Sequence, residues 1–236
     1  MGDFTDQMLS RVPRGIEVPE PIRMLIEWVD GSGFVTRGDD GELYGSLSGQ
    51  WPMGPGTNIV LRGSPPDEAD LVAAWGPISH ETVWPFCRTG SDGSEAALWK
   101  SPDGQTLVVH LGSGSGSTLA CVLGDDAVDF LRLLAIGYDE ICWNEDWHLP
   151  PEAEPNHEVF NEPYRRWVET TFGTTIPTTA LELIPAPAAM GDESDDAWCR
   201  WLNGTTGDAV GASRPRLPSE ASEKSDDGDA GMEPLF

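Results

Sequence analysis

Lysine is nearly missing from this chain. Of its 14 basic residues, set against 40 acidic ones, only Lys100 and Lys224 are lysines. The net charge of −26 repels phosphate, so it excludes nucleic acid and anionic membrane as the main partner and favours fast encounter with basic proteins. A coding bias from Lys to Arg and a salty host cytoplasm are two other sources of such acidity. No apolar run approaches the roughly 18 residues of a membrane span, and the opening "MGDFTDQMLSRVPRG" has no apolar h-region. The four cysteines, Cys87, Cys121, Cys142 and Cys199, form no C-x-x-C and have no histidine at metal-ligand spacing. A reduced cytoplasmic protein with buried thiols and no metal is therefore expected. No G-x-S-x-G elbow and no H-E-x-x-H occurs, and His80, His110, His148 and His157 are dispersed. His110, inside "LVVHL", is expected to be a hydrogen-bonded structural histidine. "GSGSGS" (112–117) is followed by a strand-like segment rather than a helix, so a flexible hairpin loop is expected and no nucleotide cofactor.

What is present is a body with periodic elements and a tail without them. "VPEPIRMLIEWVDGSG" carries Ile22, Leu25, Ile26 and Val29 at helical spacing, with Pro19 and Pro21 suited to the first turn and Gly31 to the end. The Gly/Pro-rich stretch 37–58 predicts a loop with room for a short hairpin, and "SPPDEADLVAAWG" (64–76) predicts a short helix capped by Ser64. Four short strands follow, "ETVWPFCR", "SEAALWK", "TLVVHLG" and "STLACVLG", separated by "TGSDG", "SPDG" and "GSGSGS". Such spacing predicts an antiparallel meander. "DDAVDFLRLLAIGYDE" predicts a helix capped by Asp125 and ended by Gly137, and "NEPYRRWVETTFG" one capped by Asn161 and ended by Gly173. The fold class is α+β, a central antiparallel β-sheet flanked by helices in a single domain.

Beyond residue 186 the composition turns polar and rich in Gly, Ser and Asp, which predicts a disordered acidic C-terminal tail. Within it "SDDAWCRWLNG" predicts one short helix, capped by Ser194 and stopped by Gly204. Its Trp198 and Trp201 share a face expected to dock on the body, with docking on a partner as the alternative. Residues 186–236 hold 11 acids and 4 bases, so −19 of the −26 charge stays with the body. The acidity is not a tail effect.

The stretch "LLAIGYDEICWNEDWHLP" (133–150) places four carboxylates around two tryptophans. It admits three readings. Tyr138, Ile141 and Trp143 pin an exit loop whose acids are merely solvated; or the aromatics and acids form a surface for a basic partner; or two acids form a catalytic pair, as in glycoside hydrolysis. Forty acids guarantee accidental pairs, which leaves the third reading without a discriminating signal.

These residues also carry a resemblance. An apolar helix ending in Gly-Tyr, its acidic Trp-bearing loop, "FNEPYRRWVETTFGTTIPTTALELI", the early "VPEPIRMLIEWVDGSG" and "VWPFCRTGSDGSEAALWKSPDGQTLVVHLGSGSG" come in an order that resembles the SUKH superfamily. These are Smi/Knr-type proteins, found widely as bacterial immunity proteins. The likeness covers about residues 15–185, leaving 186–236 as the tail, and the stretch 37–58 departs from it. It implies an α+β domain without catalysis or cofactor that neutralises a cognate toxin protein, often nucleic-acid-directed and so basic, by binding it. Asp139, Glu140, Trp143, Glu145, Asp146 and Trp147 are the candidate partner-binding residues. A regulatory or scaffold module of the same fold is the alternative, and a carboxylate-based hydrolase the third.

Overall fold

The computed structural model of the protein describes residues 2–49, 58–62, 78–79, 81–151 and 161–212, with side chains through residue 204. Six antiparallel strands lie in the sheet in chain order: β1 (Val35–Arg37), β2 (Leu43–Gly45), β3 (Val60–Arg62), β4 (Val83–Arg88), β5 (Glu95–Lys100) and β6 (Thr106–Leu111). The predicted meander is present in β4–β6. Each strand pairs with its sequence neighbour because the connections are short turns, and Gly93 and Gly104 take the positive φ angles of 93° and 88° those turns require. The fourth expected strand, "STLACVLG", makes only two isolated bridges, Val109 to Val122 and Leu119 to Ala189, the first flanked by His110 N donating to Cys121 O and Leu123 N to Val108 O. A hairpin is present, β1–β2, but its first strand begins at Val35, ahead of the stretch 37–58; β3, hidden in the short apolar run "IVLR", was not expected.

Side chains alternate across the sheet and build a core on each face. On the inner face Trp84, Phe86, Ala96, Leu98 and Val108 pack against helices α1 (Asp3–Ser10), α2 (Glu20–Ser32), α3 (Ala127–Ile136) and α4 (Glu162–Phe172), through Phe4, Met8, Leu25, Ile26, Phe130, Leu134, Tyr164 and Val168. On the outer face Val83, Ala97, Trp99, Val109 and Leu111 pack under Trp198 and Leu202 of α5 (Ala197–Ala212). β5 is buried on both faces except at Lys100. The fold is α+β.

Several ends differ from expectation, each for a local reason. Helix α2 runs past Gly31 and ends at Gly33 (φ 72°), which takes the left-handed cap. Asp126, not Asp125, caps α3, since its carboxylate accepts from the backbone N–H of Val128 and Asp129. Gly137 (φ 102°) ends that helix as expected. Asn161 holds the cap position of α4 but spends its side chain elsewhere, Nδ2 donating to Leu134 O in the core. Asp196 takes the cap role at α5, accepting from Cys199 N, and Gly204 does not stop the helix. Trp198 is buried and its indole N–H donates to His110 O, so this helix belongs to the body. Packed structure begins with α1 and reaches Leu202. The predicted helix at 64–76 and the tail after 212 lie outside the described residues, as do His80 and His157. No described helix is long and apolar enough to cross a membrane.

The outer face also holds a charge. Glu95 at the start of β5 is 1% exposed and pairs with Arg62 of β3, with Arg88 of β4 as its register partner. Its Oε2 and the Arg62 Nε–H have no hydrogen-bond partner among the described residues. Burial pushes the Glu95 carboxyl up to about 7, against the opposing pull of Arg62 and Arg88.

Candidate functional site

Three loops meet at one end of the sheet: the β4–β5 turn (89–94), the loop after β6 (112–118) and the exit from α3 (137–151). Asp92 ties the first two together. Its Oδ1 accepts from Ser94 N at 3.0 Å, and its Oδ2 from Ser94 Oγ and Ser113 Oγ at 2.8 Å and Ser117 N at 2.9 Å. Burial alone would raise this carboxyl, but the donors from Ser117, Ser94 and Ser113 outweigh it and bring it down to about 2. The serine–glycine loop is therefore fastened rather than flexible, and it opens no helix. Beneath it the buried His110 bridges Leu119 O (3.0 Å) and Thr89 Oγ1 (2.9 Å). The carbonyl can only accept, so Nδ1 carries the proton and Nε2 accepts from the hydroxyl. Burial pushes this imidazole down to about 4, leaving it neutral and structural, as expected.

The exit loop is anchored to the same assembly. Ser117 Oγ donates to Cys142 O at 2.6 Å, Ile141 N to Thr89 O at 3.0 Å, and Ser91 N to Glu140 Oε1 at 2.8 Å. Gly90 sits so near Cys142 that a Cβ there would collide with its sulfur, which explains a glycine at this corner. From the other side Tyr138 donates its hydroxyl to Leu149 O at 2.7 Å and accepts from Ala180 N at 3.2 Å. Leu181 N donates to Trp147 O at 3.2 Å. A single turn of 3-10 helix, Asn144–Asp146, lifts the middle of the loop outward.

The six candidate residues fall into four roles. Trp147 is 1% exposed and packed in the inner core, so it pins the loop and is closed to a partner. Trp143, one of the rings expected to pin the loop, is instead 40% exposed. The inversion accompanies the Asn144–Asp146 turn: Trp143 enters it in extended backbone (φ −114°, ψ 102°) and Trp147 leaves it in helical backbone (φ −64°, ψ −10°), so the two side chains leave the chain in different directions. Glu140 is half-buried and positions the indole, its Oε2 accepting from Trp143 Nε1 at 2.8 Å. Burial would raise the Glu140 carboxyl, but hydrogen bonds from Ser91, Trp143 and Cys142 lower it instead. Asp139, Glu145 and Asp146 lie exposed around the ring.

Between these side chains is a shallow recess of about 270 Å³, walled by Tyr138, Trp143, Asn58 and Pro151 and by the carboxylates of Asp139, Glu140 and Asp146. No family model, curated protein or solved structure matches the chain. The reading of this end of the sheet therefore rests on its geometry.

Four of the candidates, Asp139, Glu140, Trp143 and Asp146, come together in the recess, while Glu145 is exposed and does not line it. Leu149, at 41% exposure the other exposed large apolar side chain among the described residues, was missed. Its signal was the "LPP" that follows the aromatic run, because two prolines prevent the chain from folding back over it. Asp92 was missed too, although the turn residues of "SDG" mark it as a loop organiser. Chemically the recess offers an aromatic face, an apolar neighbour and negative charge. The downward shift of Glu140 is opposite to the raised pKa of a general acid. Among the described residues no group of three or more His, Cys, Asp or Glu could hold a metal ion.

Proposed function

We propose that this protein is a cytoplasmic immunity-type inhibitor, similar to the SUKH proteins, that binds a basic, nucleic-acid-targeting toxin domain through the loop end of its sheet. One observation carries the reading: an exposed Trp143 whose ring is held by Glu140 at the edge of an acid-lined recess, on an exit loop fastened through Ser91 and Ser117 to the two loops that Asp92 ties together. Rigid, partly exposed tryptophans are favoured interface anchors, because little side-chain freedom remains to be lost on binding. The surrounding carboxylates complement a basic surface and would occupy ground that a phosphate backbone takes on such a toxin. The α+β body and the loop order are compatible with the resemblance, and the reading assigns the chain no reaction of its own.

The test is capture of a partner from the native host with the full chain as bait, followed by stopped-flow association at several salt concentrations. A toxin-domain partner whose on-rate falls about tenfold or more from low to physiological salt is the expected result, because screening removes steering beyond about 10 Å. A partner bound with equal rate at all salt concentrations, or by a face that tolerates Trp143→Ala, would refute the proposal.

A further inference from the structure

We infer that the recess beside Trp143 is a receptor for one arginine side chain of the partner, which deepens the proposed function and rests on its choice of this face. At about 270 Å³ the recess has room for one protruding side chain. Its walls combine two aromatic rings, Tyr138 and Trp143, with the carboxylates of Asp139, Glu140 and Asp146, and no basic side chain lines it among the described residues. Indole is the best natural face for a cation. The Trp143 ring cannot turn freely, because its N–H is engaged by Glu140.

The carboxylates divide their work. Glu140 has both oxygens occupied, by Ser91 N and by Trp143 Nε1, so it contributes negative potential and holds the ring without needing to touch the guest. Asp146 stands exposed at the lip and supplies the carboxylate that a guanidinium meets. Arginine fits better than lysine on two counts. Its flat, weakly hydrated guanidinium stacks on an indole, and its fork pairs with a carboxylate at the same time.

The experiment is a titration of the ¹⁵N-labelled full chain, at low salt, with acetyl-Gly-Arg-Gly-amide, its citrulline isostere and its lysine analogue, followed by NMR. The arginine peptide should move the Trp143 indole N–H and Asp146 amide resonances saturably. Binding should weaken about threefold or more with citrulline, with Asp146→Asn and with Trp143→Ala, the size expected for an exposed cation–π contact. Unchanged melting of both variants shows that they remain folded. Shifts centred elsewhere, or equal affinity for citrulline or lysine, would overturn the arginine receptor. The two proposals fail separately. A captured toxin that needs Trp143 but is indifferent to the arginine probe removes only the receptor. A probe that binds as expected, with no toxin captured, keeps the receptor and removes the immunity role.

Discussion

Asp92 and Glu95 lie three residues apart, yet one carboxyl is drawn down to about 2 and the other pushed up to about 7. Asp92 is in a turn, where backbone N–H groups of two loops are not used by the sheet and can point at it. Glu95 has entered β5, where neighbouring backbone groups serve the ladder and only the side chains of Arg62 and Arg88 lower its carboxyl. Desolvation acts on both. Donor supply decides the sign. At the loop end acids are therefore held ionised and become scaffold, while on the outer face one acid is buried with too few donors.

Four measurements would break or sharpen this contrast. The largest effect belongs to Trp147→Ala, which empties a core position and should cost about 3–5 kcal/mol in denaturant unfolding. A loss under about 1 kcal/mol would mean that the loop end is not anchored from below. Next, Asp92→Ala leaves four donors of two loops unpaired and should cost roughly 2–3 kcal/mol at neutral pH. The Asp92 carboxyl falls from 3.8 to about 2 on folding, so its contribution is complete above 3.8 and lost as pH drops through 2. The gap between wild type and variant should close in that window, and hydrogen exchange at Ser94 and Ser117 should speed up in the variant.

Glu95 predicts the opposite slope. Its pKa rises from 4.5 to about 7 on folding, so the native state holds the proton more tightly and its contribution is lost as pH rises through 7. The stability of wild type minus that of Glu95→Gln should therefore fall, by about 1–3 kcal/mol, between pH 4.5 and 7. A flat or rising difference would show that Arg62 keeps the pair ionised throughout. The smallest stability effect is expected for Trp143→Ala, within about 1 kcal/mol by thermal melting. The same change should weaken partner capture about tenfold or more, and separation of these two readouts distinguishes an anchor for a partner from an anchor for the loop.

Periodicity made the helices over Ile22–Val29 and Leu131–Leu134 legible, and turn chemistry made β4, β5 and β6 legible, since both signals are local. Caps were displaced by one or two residues where several candidates stand in a row, as with Asp125 and Asp126 or Gly31 and Gly33. β3 is three residues long and α1 exposes much of its polar face, so neither shows a strong pattern by itself. At the site, composition pointed to the right stretch of chain but could not sort its two tryptophans. Three residues separate them, and the backbone at the two ends of the 3-10 turn they form decides which ring enters the core.

The chain by itself determined the antiparallel meander, the helices around it and the acidity, because alternation, helical spacing and charge are written residue by residue. Tertiary structure decided what each acid does and which tryptophan faces outward. Those outcomes depend on donors and neighbours arriving from the distant segments 89–94, 112–118 and 180–182, and contacts of that kind leave no local mark in the chain.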